Sequence, residues 1–556
     1  MRHWILQTIV LLTLYGVKGQ NLNLSLAVTD SANVQVLDTL SYQSVFNNYN
    51  NLKHELNKIQ NTLNIYGYFE SKLLHLKADK LNYTATYFIG RQTPTIRIYL
   101  NEQLQRTVGA QNYNLSENYI DVASASLESF LNKLNTNVAE QGDPFSKLQL
   151  KNFRRVNPET LAADLSISQN NFRQIDSIVV KGYEKFPKAF VKHYLKLKKG
   201  RRFGLKDIKR QVDLINNLPF ANQIKEPEVL FTKDSTTLYL YLEKQNINTF
   251  DGFLGFGTNE TTNKLEFDGY LDLRLINNLN FGETLNLYYK SDEIDQQTFR
   301  VNAQLPYLLK SPVGLNLGLN IFRKDSTFIT VNQKLQLNYQ INAHHNVALG
   351  IDGVTSTYLR DEINPDFEDY QTTFFTANYN YISVQSDRLF PINFWIDFNA
   401  ALGNRSSNEQ KLQQQRFNLE TYKIFNLNQR NSIFGRITGG YLISDNYFDN
   451  ELFRLGGINS IRGFEENSLV ANLYGVLNTE YRYRLSPSFY INSVVDAAYL
   501  ENSLTDTTLK LFGFGFGFGL VTKAGLFRLN YASGKTENQQ FRLSDSKVHI
   551  SLTATF

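Results

Sequence analysis

The feature that most constrains the fold is an alternation of apolar and polar residues that runs from about residue 250 to the C-terminus. Leu271, Leu273 and Leu275 fall on one side of this pattern, and Asp272 and Arg274 fall on the other. A period of two is typical of β-strands whose two faces meet different surroundings. The last ten residues repeat it, with an apolar set of Val548, Ile550, Leu552, Ala554 and Phe556. The alternation predicts a large sheet.

Clusters of Asn, Asp, Gly and Ser divide residues 248–556 into about sixteen strands, each taking roughly nineteen residues with its turn, where about ten suffice to cross a bilayer. A soluble β-sandwich alternates in the same way. The number of strands and the content of 32 tyrosines and 40 phenylalanines favour a transmembrane antiparallel barrel with aromatic girdles. The mean hydropathy of −0.34 agrees with this, because the water-facing residues of such strands offset the lipid-facing ones.

Residues 1–19 have the pattern of a signal peptide. A short basic start at Arg2 and His3 precedes a mostly apolar stretch, residues 4–17, and Gly19 suits the cleavage site. An uncleaved anchor helix is the alternative, but the apolar stretch is short for crossing a bilayer. The chain contains no cysteine, which excludes disulfides and a lipidated N-terminal cysteine. The sequence therefore predicts export.

Between the signal peptide and the barrel, one pattern occurs three times. An amphipathic helical segment is followed by a break and a pair of strands, and the breaks contain Phe69, Phe145 and Phe220 at intervals of 76 and 75 residues. Such regularity predicts tandem small α+β domains, although three unrelated helix-hairpin segments could be evenly spaced by chance. The predicted limits are 20–92, 93–173 and 174–247, followed by the barrel at 248–556.

The third repeat is the clearest, with a strand at residues 175–180, two helices across residues 188–217 and a hairpin. This order resembles the POTRA domain of the outer-membrane assembly-factor superfamily. The first repeat lacks an obvious first helix, and the second matches less well between residues 101 and 121. A domain of this kind leaves a sheet edge free, and an extended peptide can add to that edge through main-chain hydrogen bonds.

A loop at residues 453–469, between the predicted eleventh and twelfth strands, carries Ile461-Arg462-Gly463-Phe464. It resembles the Val-Arg-Gly-Phe/Tyr loop of the same superfamily, which includes BamA, TamA and the transporters of two-partner secretion. Residues 477–482 and 494–497 agree with the family in order and spacing. The resemblance implies that the loop folds into the barrel and that Arg462 pairs with Glu480 and Asp496. The alternative is a solvated loop arginine unrelated to those carboxylates.

The resemblance also implies a function: a protein insertion or translocation factor of the bacterial outer membrane, with its POTRA-like domains in the periplasm. Clients would assemble at a lateral seam between the first and last barrel strands. Glycines within a strand weaken its pairing, so the three glycines of the first strand could make the seam easier to open. That they are turn glycines present by chance is an equally fair interpretation. The predicted seam residues are Gly252, Gly255, Gly257, Val548, Ile550, Leu552 and Phe556.

Rival functions within the envelope are a two-partner secretion pore for an unfolded exoprotein, lipid transport or envelope assembly with a TamB-like partner, and a passive porin. Expected partners are unfolded outer-membrane or secreted clients and outer-membrane lipid, with a TamB-like protein or an accessory lipoprotein as a further candidate. A neighbouring gene would discriminate among these functions: one for a very long, inner-membrane-anchored β-rich protein would support a TamA-like role, and one for a large secreted adhesin would support secretion. Three repeats without a proline-rich linker favour insertion over secretion.

Enzymatic function and cofactor binding are not expected. Gly513, Gly515, Gly517 and Gly519 alternate with phenylalanines at the period of a strand, whereas a phosphate-binding loop has its glycines between a strand and a helix. The seven histidines show no paired ligand spacing, and no Gly-x-Ser-x-Gly motif occurs. The net charge of +5 over 556 residues gives no indication of nucleic-acid binding.

Overall fold

A computed structural model describes residues 21–555 except for short internal stretches. The predicted signal peptide and Phe556 lie outside the described residues. Among the residues that are described, no helix is both long enough and apolar enough to cross a membrane. The stretches left out are 30–33, 103, 106–117, 168–171, 259–264, 292–295, 388, 409, 523–524 and 540–545, and the side chains of 253–258, 265–268, 549, 551–552 and 555 are also not described.

One compact part of the chain comprises Met1–Ile175 and Gly200–Asp207, and its first sheet packs against one long helix. Leu52, Leu56, Ile59 and Leu63, spaced at three or four residues, place the apolar face of this helix against the sheet. A short helix, which the sequence analysis did not find, precedes it. The elements are β1 Leu22–Val28, α1 Val34–Thr39, β2 Val45–Phe46, α2 Tyr49–Ile65, β3 Lys72–Asp79 and β4 Asn82–Phe88, in the sheet order β2-β1-β4-β3.

A second sheet of four strands follows in the same part of the chain. Its helix buries Phe130 and Leu134 against Ile96 and Ile98 of the central strand. A 3-10 turn at Ser124–Ser126 leads into that helix. The elements are β5 Thr95–Tyr99, β6 Tyr119–Ala123, α3 Leu127–Glu140, β7 Leu148–Asn157 and β8 Thr160–Ile167, in the order β6-β5-β8-β7.

The other compact part comprises Asp176–Lys199 and Ile208–Phe556, and it begins with a third sheet. Two helices were predicted across residues 188–217. The first is present but short: residues 188–189 are helical and lead into a π-helical turn, Phe190–Tyr194. It ends before Lys196, whose φ of 56° a right-handed helix cannot contain. The elements are β9 Ser177–Lys181, α4 Leu205–Asp213, a 3-10 turn Leu214–Asn217, β10 Ala221–Phe231 and β11 Thr236–Lys244, in the order β10-β11-β9.

Each of the three sheets ends in an irregular edge strand. The edge strands β3, β7 and β10 all pair with their neighbours through register shifts, at one position in β3 and at two positions in β7 and in β10. In β10 the second shift brackets Pro227, which has no backbone N–H to donate. Bulges and proline are common ways of limiting uncontrolled strand addition at an edge.

After the third sheet, sixteen strands close into a single barrel in which every neighbouring pair is antiparallel. The predicted fold class, a barrel of about sixteen strands after tandem small α+β domains, is therefore confirmed. The first eight strands are β12 Thr249–Thr258, β13 Leu265–Ile276, β14 Thr284–Ser291, β15 Gln296–Leu305, β16 Val313–Lys324, β17 Phe328–Gln340, β18 His345–Tyr358 and β19 Tyr370–Val384.

The second half of the barrel is interrupted once, between its eleventh and twelfth strands, by a small hairpin that does not join the wall. The remaining wall strands are β20 Ile392–Ser407, β21 Lys411–Asn426, β22 Asn431–Ile443, β25 Leu473–Ser486, β26 Phe489–Asn502, β27 Thr507–Val521, β28 Leu526–Thr536 and β29 Ser546–Thr555, and the hairpin strands are β23 Phe453–Leu455 and β24 Leu469–Ala471. Short 3-10 turns occur at Leu308–Lys310 and Asp449–Glu451.

The π-helical turn packs against one end of the barrel. The ring of Phe190 meets that of Tyr307 edge-on, with centroids 4.8 Å apart. The Tyr183 hydroxyl accepts a hydrogen bond from Asn277 at 2.7 Å and donates one to Asn280 at 2.8 Å. A β-carbon at Gly282 would lie 2.2 Å from the Phe190 ring, so only glycine allows this close approach. These contacts fix the third sheet to the turns that follow β13 and β15.

Candidate functional site

The loop predicted from the Ile-Arg-Gly-Phe motif folds back between its flanking strands because of its glycines. Gly456 and Gly457 have φ values of 110° and 82°, and a β-carbon at Gly456 would lie 1.8 Å from the Glu465 carbonyl oxygen. Gly463 has a φ of 92°, and a β-carbon there would lie 2.4 Å from the backbone nitrogen of Gly534 in β28. The motif glycine therefore lets the loop touch the backbone of the wall.

Arg462 lies buried between two wall strands, and its guanidinium contacts both predicted carboxylates. Its Nε donates to Asp496 Oδ2 at 2.8 Å and its Nη2 to Asp496 Oδ1 at 2.6 Å. Its backbone N–H also donates to Asp496 Oδ2, at 3.0 Å, and its Nη1 donates to Glu480 Oε1. Arg462 is 5% exposed and Asp496 1%. We call these three residues the arginine latch.

The charge of Arg462 is secured by its partners. Burial alone would lower the pKa of the guanidinium, but the hydrogen bonds to Asp496 and the charge of Glu480 outweigh burial and raise it. A forked pair between a guanidinium and a carboxylate is among the stronger charge-assisted hydrogen bonds in proteins. Arg462 thus carries its positive charge in the lumen under all ordinary conditions.

A second arginine, to which the sequence analysis gave no role, extends the latch. Arg482 donates from Nε to Glu480 Oε2 at 2.8 Å. Its guanidinium carbon lies 4.1 Å from the ring centre of Phe434 and 4.4 Å from that of Phe390. Glu480 and Arg482 are two residues apart in β25, so they lie on the same face of the strand. The spacing of two between Glu480 and Arg482 is the sequence feature that could have predicted this ion pair.

The wall beneath the loop is made of small residues. A β-carbon at Gly513 would lie 2.4 Å from the Arg462 carbonyl oxygen, and one at Gly534 would lie 2.7 Å from the Phe464 ring. The phenylalanines that alternate with the glycines of β27 point outward, and Phe516 is 61% exposed. Ile461 of the loop is fully buried. Gly513, the first glycine of the alternation, and Gly534 of β28 therefore leave room for the loop to pack against the wall, a role that the sequence did not indicate.

The first and last barrel strands are joined by very few residues. Among the described residues, β12 and β29 pair only at Thr249 with Thr555 and at Phe250 with Ala554. By contrast, β12 pairs with β13 through ten residue pairs, and β28 with β29 through eight. We call the β12–β29 junction the seam.

The predicted seam residues lie on these two strands, but the pairing does not run through the glycines. Gly252, Gly255 and Gly257 pair with residues of β13, and the β12–β29 pairs of the described residues lie just before them in the sequence, so that weaker pairing at these glycines stays a prediction. Val548 and Ile550 are 58% and 61% exposed on the outer side of β29 and pair with β28. Leu552 pairs with Phe527 of β28, and Phe556 lies outside the described residues.

Two acidic residues that follow the motif contact strands on either side of the seam. Glu465 accepts from Lys547 of β29 at 3.0 Å, and Glu466 pairs with Lys290 of β14. All four side chains are partly exposed. Next to the loop, a cavity of about 880 Å³ is lined by polar wall residues that include Asp272, Arg274 and Arg300.

Comparisons with known proteins agree with this architecture. The Omp85 superfamily domain matches residues 277–556. Among solved structures, CdiB from Acinetobacter baumannii is similar with 14% identity and a TM-score of 0.54, covering 91% of this chain and 97% of that one. CdiB from Escherichia coli gives 13% identity, a TM-score of 0.54 and the same coverage. BamA from Haemophilus ducreyi lacking POTRA domains 1-3 has 13% identity and a TM-score of 0.49, and the match covers 82% of this chain and 98% of that one. No curated protein sequence matches.

Proposed function

The chain belongs to the Omp85 superfamily and is an outer-membrane β-barrel transporter, and from this premise we propose that it inserts client proteins into the membrane at the seam. The family resemblance inferred from the sequence is confirmed. In the proposed reaction the seam parts, and the free edges of β12 and β29 offer main-chain donors and acceptors to a client hairpin.

The observation that carries the proposal is the shortness of the seam. Every backbone hydrogen bond across a barrel junction must be replaced when the junction parts, because lipid provides no partner. In the part of the two strands that the structure describes, two residue pairs join β12 to β29. Opening the wall there therefore sacrifices fewer bonds than opening it between β12 and β13, where ten pairs would separate.

Clients would reach the seam by way of the three α+β sheets, which we place in the periplasm in this proposal. The edges of β3, β7 and β10 are the sites at which an extended segment could add. Their register shifts restrict such pairing to short runs. In β3, for example, five consecutive pairs follow the shift, from His75 to Asp79. Short pairing suits a transporter that must accept many sequences and release them.

The proposal is tested by locking the seam with a disulfide. Phe250 and Ala554 are cross-strand partners, and the natural chain has no cysteine that could interfere. Phe250→Cys with Ala554→Cys should link the strands, since directly opposed residues of antiparallel strands lie about 4.5–5.5 Å apart. In cells depleted of the natural protein, oxidised double mutant should fail to restore the other outer-membrane proteins, and reductant should rescue it. Quantitative outer-membrane proteomics measures both states.

A matched control places the disulfide where the wall is already closed. Val495 and Phe514 are cross-strand partners in β26 and β27, and both are exposed on the outer face. Val495→Cys with Phe514→Cys should leave client levels unchanged in either redox state. Normal client levels with a fully oxidised seam would overturn the insertion proposal, and continued release of an exoprotein in that state would favour secretion through the lumen.

A further inference from the structure

The segment that leads into the loop, residues 446–451, has its own set of buried polar contacts on a different part of the wall. Arg405 of β20 forms an ion pair with Glu451 through Nη1 and Oε1. The side chains are 1% and 4% exposed. Two charges this deeply buried need nearly complete hydrogen bonding to be tolerated.

Both members of the pair have that bonding. Gln414 of β21 donates to Glu451 Oε2 at 2.9 Å, and the backbone N–H of Phe448 donates to Oε1 at 3.0 Å. Arg405 donates from Nη1 to the Asn446 carbonyl oxygen at 3.3 Å and from Nη2 to its side-chain oxygen. The guanidinium carbon also lies 4.1 Å from the centre of the Phe448 ring. The wall thus holds residues 446–451 from several directions.

Neighbouring strands add to this attachment. Asn450 donates to the Ser356 hydroxyl of β18 at 2.9 Å, and the Tyr370 hydroxyl of β19 donates to the Asn450 carbonyl at 3.2 Å. Phe448 belongs to a buried apolar cluster that includes Tyr370 and Phe374 of the same wall. Residues 446–451 therefore contact β18–β21, whereas the arginine latch contacts β25 and β26.

We propose that Arg405 and Glu451 form a second anchor, which keeps the loop in the lumen independently of the arginine latch. The short hairpin of β23 and β24 connects the two points of attachment. When the latch alone is broken, residues 446–454 stay bound to β18–β21 and the loop still obstructs the barrel. When the anchor alone is broken, Arg462 holds the loop from the other wall. The lumen opens only when both are lost.

Conductance of the purified full-length protein in planar lipid bilayers tests this. The anchor is removed by Arg405→Met with Glu451→Leu, because apolar replacement of both partners leaves no buried charge unpaired. The latch is removed by Arg462→Ala. Each change alone should leave the conductance within about twofold of the wild-type value. The triple mutant should conduct roughly tenfold more than the wild type, because most molecules would then have the loop outside the lumen.

A matched control removes a different buried ion pair. Arg416 of β21 donates to Asp352 of β18 at 2.8 Å, joining two wall strands. Arg416→Met with Asp352→Leu, combined with Arg462→Ala, should conduct like Arg462→Ala alone. Gel migration of unheated samples shows whether each variant contains a folded barrel. For variants that do not fold, loop release is measured instead by protease cleavage within residues 446–472 of the Glu451→Gln and Arg462→Ala double mutant in native membranes.

The proposal is overturned if Arg462→Ala alone conducts as strongly as the triple mutant, because the anchor would then hold nothing. It is equally overturned if the anchor variant alone does so, because the two attachments would not be independent. The measurement involves no client protein. Its failure is therefore distinguishable from a failure of the insertion proposal, which the seam disulfide tests.

Discussion

The seam and the wall that carries the arginine latch are built from the same kind of strand, yet they are closed very differently. Over the described residues the seam has two residue pairs, whereas β25 and β26 share eleven, and β26 and β27 share fourteen. The latch adds a buried ion pair to the already continuous wall, and the loop seats on Gly513 and Gly534 beside it. Closure of a barrel is therefore not uniform around its circumference. The β12–β29 junction has few pairs, while the wall at β25 and β26, which β27, β28 and β29 separate from that junction, is reinforced.

The largest effect on this contrast is expected from removing the main partner of Arg462. Asp496→Ala leaves a buried guanidinium with only Glu480, and breaking a buried ion pair in this way typically costs about 3–5 kcal/mol. The free energy of unfolding in detergent, measured by denaturant titration, should fall by that order. Asp361→Ala, in an exposed loop, is the control. Equal stability of the two variants would show that the latch does not reinforce the wall.

A smaller effect is expected from filling the space beneath the loop. Gly513→Val adds atoms where a β-carbon already lies 2.4 Å from the Arg462 carbonyl oxygen. Overpacking of this kind typically costs about 1–3 kcal/mol. The denaturation midpoint should decrease, and the loop should become more sensitive to protease.

Gly475→Val provides the comparison for that change, because nothing lies within 4 Å of a β-carbon at Gly475 of β25. Its midpoint and its protease pattern should match those of the wild type. A loss as large as that of Gly513→Val would attribute the effect to glycine in strands generally and not to the seat of the loop.

The smallest effect is expected from the ion pairs that link the loop to strands beside the seam. Lys547→Ala removes the partner of Glu465, but both side chains are largely exposed, and such pairs contribute roughly 0–1 kcal/mol. Lys510→Ala breaks a similarly exposed pair with Glu537 away from the loop. The two variants should unfold at nearly the same denaturant concentration. If the free energy of unfolding fell by several kcal/mol for Lys547→Ala and not for Lys510→Ala, the ion pair of the loop would be what holds the seam closed.

Much of the fold could be predicted because its signals are local. The period of two predicts strands wherever one face meets lipid and the other meets the lumen. The motif at Ile461 to Phe464 predicts the position of the loop from the sequence alone. The partners of Arg462 came from the family resemblance. The structure brings all three residues together.

Other features depend on contacts between distant residues and leave no local pattern. Arg405 and Glu451 are separated by 46 positions and two strands, so nothing in either neighbourhood indicates their pairing. The register of the seam is set by how sixteen strands close, which no single strand encodes. Helix α1 escaped prediction because six residues are too few to show a helical period. The positive φ of Lys196 likewise ends the first predicted helix of the third repeat early.

In the proposed route, the irregular edges of β3, β7 and β10 would limit how long a client remains bound. Each uninterrupted run offers only a few main-chain hydrogen bonds, and each contributes a net of about 0.5–1.5 kcal/mol. A client strand bound so weakly would dissociate quickly from each of the three edges. Residence times would be brief at every stop, which favours rapid turnover along the route and protects the transporter from sticking to its own copies.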